Sequence, residues 1–510
     1  MLCASLAERD VNGMVRAARA ARAAGADIVE ARLDGLSAPG VPVIGELRRR
    51  IGLPAIATLR PEWEGGSFGG GEDERSDLLA TAAEKGFDYL DVELAMDGRR
   101  LSALLALCKR RGAGTIVSHH DFCGTPAAGR ILRMIRRCSL AGDIGKVAYS
   151  CSSVRDAARI VEAARDARRE GLAFIAIGMG EHGRLTRFLA PVMGSAMAYA
   201  CLDRRRRTAG GQFEIGELVD MWGGPARRRT LSPRTALYGI LGHPLGHSLS
   251  PAMHNAAFNE LGMDAIYIPF DIENSQLGGA MEALEAAGLR GANVTIPHKQ
   301  AIIAFLDRVD KRARQAGAVN TIVRRGARFL GSNTDTGGFI GALEAAGVRL
   351  KGARALVIGA GGAARAAVLG LLDEGAAVTV ANRTRSRALG LRRALGAPQV
   401  KVIGLEDLPG AMRDADILVN CTPVGMKGFG PSIPVPARFL HGRMTVMDMV
   451  YNPEMTPLLE AAGKAGARTV SGIEMFTRQA MGSLAMWTGR AVPAAAAGKA
   501  RAAITLRIRK

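Results

Sequence analysis

The segment GDIGKVAYS at 142–150 sets one lysine, Lys146, among glycine and small apolar residues in a run that reads as a buried β-strand. Lysine is rarely buried without a partner, and burial penalises its ammonium form, which favours a neutral amine able to attack a carbonyl carbon. On this segment alone the plainer reading is a strand-end lysine whose head reaches water. Polar residues recur at the ends of the neighbouring apolar runs: Glu30 and Arg32, Arg60, Asp91 and Glu93, His119 and His120.

A second set lies in the other half of the chain. GHPLGHSLSP places Ser248 and Ser250 two residues apart, just before Pro251 and a helix. Two hydroxyls at a helix N-terminus can cradle a carboxylate, or simply cap the helix. Asn293, Thr295 and Lys299 in NVTIPHKQ, Asn320 in GAVNT and Asp335 in GSNTDTGG each end a strand, where each alone fits turn chemistry. Taken as a set they point to a polar site. VIGAGGAARA then puts Gly359, Gly361 and Gly362 between an apolar strand and a helix, the context in which backbone N–H groups meet a pyrophosphate. The pattern is G-x-G-G-A-A rather than G-x-G-x-x-G. An NAD enzyme carries Asp or Glu ~20 residues on, whereas this chain reads NRTRSR, with Arg383 suited to the 2′-phosphate of NADP. The alternative is a plain helix N-terminus with an exposed arginine.

These residues require a scaffold of alternating strands and helices. Residues 2–220 alternate short apolar runs (LCASL, DIVEARL, PAIATLR, YLDVEL, GTIVSHH, IGKVAYS, AFIAIGM) with amphipathic helical stretches; VMGSAMAYA reads as strand or helix. Seven or eight such units predict a parallel barrel with its functional groups at the C-terminal strand ends. WGGPARRRTLSPRT at 222–235 reads as a linker. The strands ALYGILG, AIYIPFD, GANVTIP and NTIVRR follow, then the glycine-turn unit after about residue 350, and a basic end, GKARAAITLRIRK, to which no role is assigned.

The bulk properties agree. A chain of 510 residues exceeds one ordinary core, and 48% hydrophobic with 23% charged residues is globular, with an α/β character. The net charge of +20 admits nucleic acid, a membrane surface or an anionic substrate. The arginine runs at 204–207 and 227–229 lack interleaved aromatics and read as solvated faces rather than a nucleic-acid surface. Seven cysteines without a C-x-x-C pair suggest neither zinc nor a disulfide framework, and fit a reducing cytosol. The first residues lack the zones of a signal peptide, and no apolar run approaches the ~20 residues of a membrane span. No metal, nucleic-acid or membrane partner is expected, and the oligomeric state is not legible.

Residues 235–490 closely resemble shikimate dehydrogenase through GHPLGHSLSP, NVTIPHK, GAVNT, SNTD, GAGGAARA, NRT, NCTPVGM, DMVYNP and GIEMFTRQ, in that order. The resemblance implies that Ser248 and Ser250 hold the shikimate carboxylate, and that Thr295, Asn320, Asp335 and Gln479 contact the ring hydroxyls. Asn293 and Tyr451 join the substrate pocket, and Lys299 with Asp335 transfers the proton. For the cofactor it implies Gly359, Ala360, Gly361, Gly362 and Ala363 at the pyrophosphate. Asn382, Arg383, Thr384 and Arg387 fall at the NADP phosphate, and Met449 and Gly472 near the nicotinamide. Cys421 reads as a packed thiol.

The first 220 residues resemble type I 3-dehydroquinate dehydratase through VEARLD, TLRPEWEGG, DVEL, SHHDF, GKVAYS, GRLTR and TAGGQ. This resemblance makes Lys146 the Schiff-base lysine and His120 the acid–base histidine. Glu30, Arg32, Arg60 and Arg187 fall on substrate and charge-pairing positions, Ser5 on a first-strand contact and Glu64 beside the histidine. Thr208 and Gln212 sit in TAGGQ, where the family usually has a serine and a proline. His119 reads as a structural neighbour. An imine on Lys146 acidifies the adjacent C–H for His120, and Arg32, Arg60 and Arg187 suit a carboxylate substrate.

The implied whole is a (β/α)8 TIM barrel at 1–222, a linker at 223–234 and a dehydrogenase substrate domain at 235–340 completed by a helix at about 473–490. A Rossmann NADP domain at 341–472 and a basic tail at 491–510 complete it. Its implied activity is cytoplasmic and belongs to the shikimate pathway: 3-dehydroquinate is dehydrated to 3-dehydroshikimate, which NADPH reduces to shikimate. One half being inactive, or the C-terminal half acting on quinate, are the alternatives.

Overall fold

The computed structural model describes residues 1–228, 230–246, 248–428, 430 and 432–508. The chain divides into two compact units, Met1–Leu237 with Ser275–Leu289, and Tyr238–Asn274 with the chain from Arg290 onward.

The first unit is built on eight parallel strands, β1 (Leu2–Leu6), β2 (Ile28–Arg32), β3 (Ala55–Thr58), β4 (Tyr89–Glu93), β5 (Gly114–Asp121), β6 (Ile144–Ser150), β7 (Phe174–Met179) and β8 (Ala198–Ala200). Their order is β7-β6-β5-β4-β3-β2-β1-β8, and the Ala196 N–H donates to the Phe174 carbonyl at 2.8 Å. Helices follow the strands, with N-caps supplied by Asp10, Asp97 and Ser153, the last in a capping box with Asp156. The ambiguous segment VMGSAMAYA is both things: a helix ends at Met193 and the strand is only Ala198–Ala200.

The strand period of two sorts the interior into layers. Cys3, Ile28, Ile56, Ile116, Ile144, Ile175 and Tyr199 pack as an apolar floor. Two residues further along the same strands stand Ser5, Glu30, Thr58, Ser118 and Lys146, with Asp91 two beyond Tyr89. The next step brings Arg32, Glu93 and His120. A polar layer therefore rests on a dry one at the C-terminal strand ends.

In the second unit, β9 (Ala236–Gly242), β10 (Ala265–Asp271), β11 (Gly291–Val294), β12 (Arg308–Val309), β13 (Thr321–Arg325) and β14 (Arg328–Ser332) form a mixed sheet ordered β10-β9-β11-β13-β14-β12. β15 (Arg354–Ile358), β16 (Ala377–Ala381), β17 (Lys401–Ile403), β18 (Ile417–Asn420), β19 (Thr445–Asp448) and β20 (Arg468–Val470) form a parallel sheet ordered β17-β16-β15-β18-β19-β20. The strand order reverses between β15 and β18, the place where doubly wound sheets bind ligands.

Two stretches, read from the sequence only as a basic tail and as a linker with a solvated arginine run, have more structure than that reading gave them. The basic end folds as a helix, Ala494–Ile508, whose buried Ala496, Ala500 and Ile504 form an i, i+4, i+8 stripe against the helix Ser250–Glu260. Alanine gives that stripe little hydropathy contrast, so only the basic residues stood out. In the linker, Arg228 is buried and paired with Asp27 at 2.7 Å rather than solvated, while Arg229 lies outside the described residues. No helix among the described residues is long and apolar enough to cross a membrane.

Candidate active sites

The barrel's polar layer closes around a cavity of about 290 Å³. Lys146 is buried, and its Nζ donates to Asp91 Oδ2 at 2.7 Å and Glu30 Oε1 at 3.4 Å. It also lies 4.4 Å from the centre of the Tyr199 ring. The head therefore does not reach water; it sits between two carboxylates and an aromatic face. Burial disfavours both carboxylates' charge, but Arg60 and Lys146 pull Asp91 well below the usual carboxylate range, and Lys146 and Arg32 lower Glu30. Ser5 donates to Glu30, Thr208 Oγ1 donates to Ser5 Oγ at 2.8 Å, and Thr208 and Gln212 bond each other. The TAGGQ loop is thus tied to the first strand.

The three arginines divide by what already holds them. Arg60 donates to Glu93 at 2.6 Å and Ser118 at 2.9 Å and pairs with Asp91 at 3.0 Å. Arg32 binds Asp34 through two nitrogens at 2.9 and 2.6 Å. Arg187, on the helix Arg184–Met193, is buried with no ion pair among the described residues. It reaches only the carbonyls of Tyr199 (3.5 Å) and Gly210 (3.2 Å), and its Nε has no partner. Burial lowers its guanidinium to about 10. A buried cation without a counter-ion, lining a cavity, calls for an anionic ligand.

His120 Nδ1 lies 2.8 Å from Glu64 Oε2 and its ring stacks on Phe122. Burial, then the charges of Arg60 and Lys146, hold His120 well below the usual imidazole range, while burial pushes Glu64 up to about 8. His119 packs edge-on against Tyr149 and does not line the cavity. Sequence reasoning named Asp91 and Glu93 as strand-end carboxylates without giving them a role, and left Ser118 and Tyr199 out of the site. The signal was present for the carboxylates, since Asp91 and Glu93 share a strand face two residues apart, the period that sends both inside a barrel.

The second unit holds a cavity of about 200 Å³ lined by Ser250, Asn293, Thr295, Lys299, Asn320, Asp335, Tyr451, Gln479 and, on the Rossmann side, Ala363, Met449 and Gly472. Lys299 Nζ donates to Asp335 Oδ2 at 2.6 Å, and Asn320 Nδ2 donates to Asp335 Oδ1 at 2.6 Å. Gln479 accepts from Asn320 at 3.4 Å, and Tyr451 stacks on Phe476 with ring centres 4.6 Å apart. Burial raises the Tyr451 phenol, keeping it protonated. Ser250 opens its helix, with its N–H donating to Ser248 Oγ at 3.4 Å; Ser248 is outside the cavity lining.

Gly359, at φ 112°, turns the chain from β15 toward the helix Gly362–Asp373. A side chain at Gly359 would meet Thr422 and Cys421 at 3.1 and 3.2 Å, whereas one at Gly361 or Gly362 would meet nothing within 4 Å. No side chain caps that helix, so its first N–H groups face open space beside Ala360 and Ala363. At the end of β16, Asn382 Nδ2 bonds the Thr384 carbonyl at 2.8 Å, and Arg383, Arg385 and Arg387 are exposed. Uncapped N–H groups plus free guanidinium groups fit a dinucleotide carrying an extra phosphate. Cys421 is partly buried, its thiol pushed up by burial.

Comparison with known proteins matches each half of the chain to a family. Residues 2–223 match the family of type I 3-dehydroquinase, residues 240–322 the shikimate dehydrogenase substrate binding domain, and residues 342–425 shikimate / quinate 5-dehydrogenase. The chain is 35% identical to the chloroplastic bifunctional 3-dehydroquinate dehydratase/shikimate dehydrogenase of Arabidopsis thaliana, over 97% of this chain and 83% of that protein. It is 46% identical to the NADP(+) shikimate dehydrogenase of Symbiobacterium thermophilum, over 52% of this chain and 94% of the relative. A solved shikimate dehydrogenase in complex with NADP+ superposes with a TM-score of 0.51 at 37% identity, covering 55% of this chain and 98% of its own. With a cavity built around a buried lysine in one unit and a lysine–aspartate pair beside a dinucleotide turn in the other, the chain belongs to the family of bifunctional 3-dehydroquinate dehydratase/shikimate dehydrogenases.

Proposed function

We propose that the two cavities carry out consecutive reactions: the barrel dehydrates 3-dehydroquinate to 3-dehydroshikimate, and the second unit reduces that product to shikimate with NADPH. The observation that carries the reading is Lys146, a buried amine between Asp91 and Glu30 facing His120 and the unpaired Arg187 across one cavity.

In the barrel, Arg187, with Arg32 at the rim, holds the substrate carboxylate. His120, whose imidazole burial keeps neutral, takes up the proton that the ammonium group must lose before it attacks the ketone and returns it to the hydroxyl that leaves as water, while Asp91, 2.7 Å from Lys146, orients the amine. Expulsion of water leaves an iminium linkage on Lys146, which draws electrons from the adjacent carbon. His120 removes a proton there and returns it to the departing hydroxyl. Hydrolysis of the imine then frees the product and the lysine. Ser5, Glu30, Glu64, Arg60, Thr208 and Gln212 orient these groups.

In the second unit, Ser248 and Ser250 receive the substrate carboxylate, and Thr295, Asn320, Asp335 and Gln479 the ring hydroxyls, with Asn293 and Tyr451 shaping the pocket. Lys299, held by Asp335, delivers the proton to the carbonyl oxygen. NADPH supplies the hydride when bound along Gly359–Ala363 with its 2′-phosphate at Asn382, Arg383, Thr384 and Arg387. Met449 and Gly472 flank that meeting place. All seven cysteines are free thiols, which favours a reducing, cytoplasmic setting. Because residues 342–425 match a family described jointly for shikimate and quinate, quinate oxidation is the second reading; it predicts turnover of quinate comparable with that of shikimate.

Borohydride added with 3-dehydroquinate should fix the imine as a stable adduct on Lys146, read by intact mass and peptide mapping. No adduct, or an adduct on another lysine, overturns the assignment.

A further inference from the structure

Behind the dehydrogenase cavity lies a run of hydrogen bonds whose direction is set at both ends. Tyr267 donates its hydroxyl to Asn293 Oδ1 at 2.8 Å, so the amide of Asn293 turns its nitrogen to Ser483 Oγ, also at 2.8 Å. At the other end the backbone N–H of Thr334 donates to Asn320 Oδ1 at 2.8 Å. That oxygen only accepts, so Thr321 Oγ1, 2.9 Å away, gives its single proton there. The Thr321 oxygen is then left to accept, and Ser483 at 2.8 Å is its nearest donor, ahead of Thr334 Oγ1 at 3.2 Å and Asn293 Nδ2 at 3.4 Å; the Gln479 carbonyl is the more distant alternative for Ser483 at 3.2 Å. The result is one sequence of donors running from Tyr267 through Asn293, Ser483 and Thr321 to Asn320, whose nitrogen is left to donate to Asp335.

We infer that Thr321 and Ser483 are positioning residues of the dehydrogenase: they brace the Asn320 amide in the orientation that meets Asp335, and so hold the carboxylate that orients Lys299. Both are fully buried and neither lines the cavity. They join strand β13 to the helix Gly472–Thr488, with Thr334 at 3.2 Å from each hydroxyl. If the Asn320 amide turned over, its oxygen would face the Asp335 carboxylate and its nitrogen the Thr334 N–H, two repulsive contacts in a buried place. The Thr334 N–H and the Asp335 carboxylate disfavour that state, and the Thr321 proton on the Asn320 oxygen adds a third contact that holds the amide in place. The inference rests on the reading of Lys299 and Asp335 as the proton-transfer pair.

Thr321→Val keeps the shape and removes the hydroxyl. It should lower kcat for shikimate oxidation ~10-fold or more, the scale of a buried donor left without its partner. It should also enlarge the solvent deuterium isotope effect on kcat, because proton delivery becomes slower relative to the other steps. Thr321→Ser should restore most of the rate, and dehydration by the same chain should be unchanged. An unaltered kcat, or a fall with an unaltered isotope effect, overturns the inference. If calorimetry shows that Thr321→Val no longer binds NADP, Ser483→Ala carries the same test with the same outcomes. Loss of NADP binding in both overturns it as well, since the hydroxyls would then hold the fold rather than the pair. Lys299→Ala separates the two levels: if that variant keeps wild-type kcat the underlying reading fails, and if it is inactive while Thr321→Val is normal only this inference fails.

Discussion

The two cavities solve the placement of a lysine in opposite ways. In the barrel, Lys146 and Arg60 are embedded in four buried carboxylates, Glu30, Glu64, Asp91 and Glu93, and Arg75 reaches Glu93 from behind while also binding Glu72 at 2.8 Å. In the dehydrogenase, Lys299 has one carboxylate at 2.6 Å and is partly exposed, and the surrounding groups are amides and hydroxyls. A lysine that becomes covalently bonded must be held still yet lose its proton, and here a second cation, Arg60, shares Asp91 with it and weakens that carboxylate's hold on the proton. A lysine that only passes a proton needs water access and one orienting partner. The cost differs too: buried charges are stable only as a complete set, whereas neutral networks tolerate partial loss more cheaply.

The sharpest way to break this contrast is to exchange the losses. Lys299→Ala should cut shikimate oxidation ~10²- to 10⁴-fold, the range for a missing acid–base group, with dehydration at the wild-type level. Parallel assays on one preparation check it; a matching fall in both activities would mean that the sites do not act independently.

The next largest effect concerns stability. Asp91→Asn leaves Lys146 and Arg60 short of their shared carboxylate, and removing one partner of a buried pair costs ~3–5 kcal/mol. Urea unfolding followed by pulse proteolysis with peptide mapping of each unit should show the barrel's midpoint falling while that of the dehydrogenase unit stays. Equal shifts would show that the barrel's charges stabilise the whole chain.

Asp91 also shows where sequence reading stops. The residues that carry a motif, such as Lys146, His120, Lys299 and the glycines after β15, were legible because each stands at a strand end in a fixed local pattern. Asp91 and Glu93 were visible as strand-end carboxylates, yet nothing local says that Asp91 meets Lys146, 55 residues away, at 2.7 Å. Barrel closure brings them together. Likewise the sequence treats Arg32, Arg60 and Arg187 alike, and only packing shows that Arg32 and Arg60 are already engaged. Thr321 and Ser483 gave no signal, since a buried hydroxyl is chemically ordinary until its neighbours fix its proton.

Cofactor choice tests the exposed edge of the neutral site. Hydrogen bonds to a charged group contribute ~1.5–3 kcal/mol each, about 10- to 150-fold in affinity. Arg383→Ala should weaken NADP by roughly that factor and leave the poorer NAD activity nearly unchanged, with Arg385 and Arg387 softening the loss. kcat/KM for both cofactors reads this directly; an equal fall would make Arg383 a fold residue.

The smallest expected effect lies in the proton shared by Glu64 and His120. Burial holds Glu64 up to about 8 and His120 well below its ordinary range, so near neutrality the proton sits on the carboxyl. A protonated Glu64 donates to Nδ1, which leaves the imidazole's own proton on Nε2, the nitrogen that must act as base. When Glu64 ionises, the direction reverses: Nδ1–H donates to the carboxylate and the Nε2 lone pair is free. Dehydration kcat/KM should therefore rise ~10-fold between pH 7 and pH 9, as expected for one ionisation near the middle of that interval. Glu64→Gln removes the ionising group whichever way its amide faces, so its profile should be flat over the same interval. A flat wild-type profile, or a rise that survives in Glu64→Gln, would show that the barrel's buried charges do not set the form of its base, and the contrast with the neutral site would then rest on stability alone.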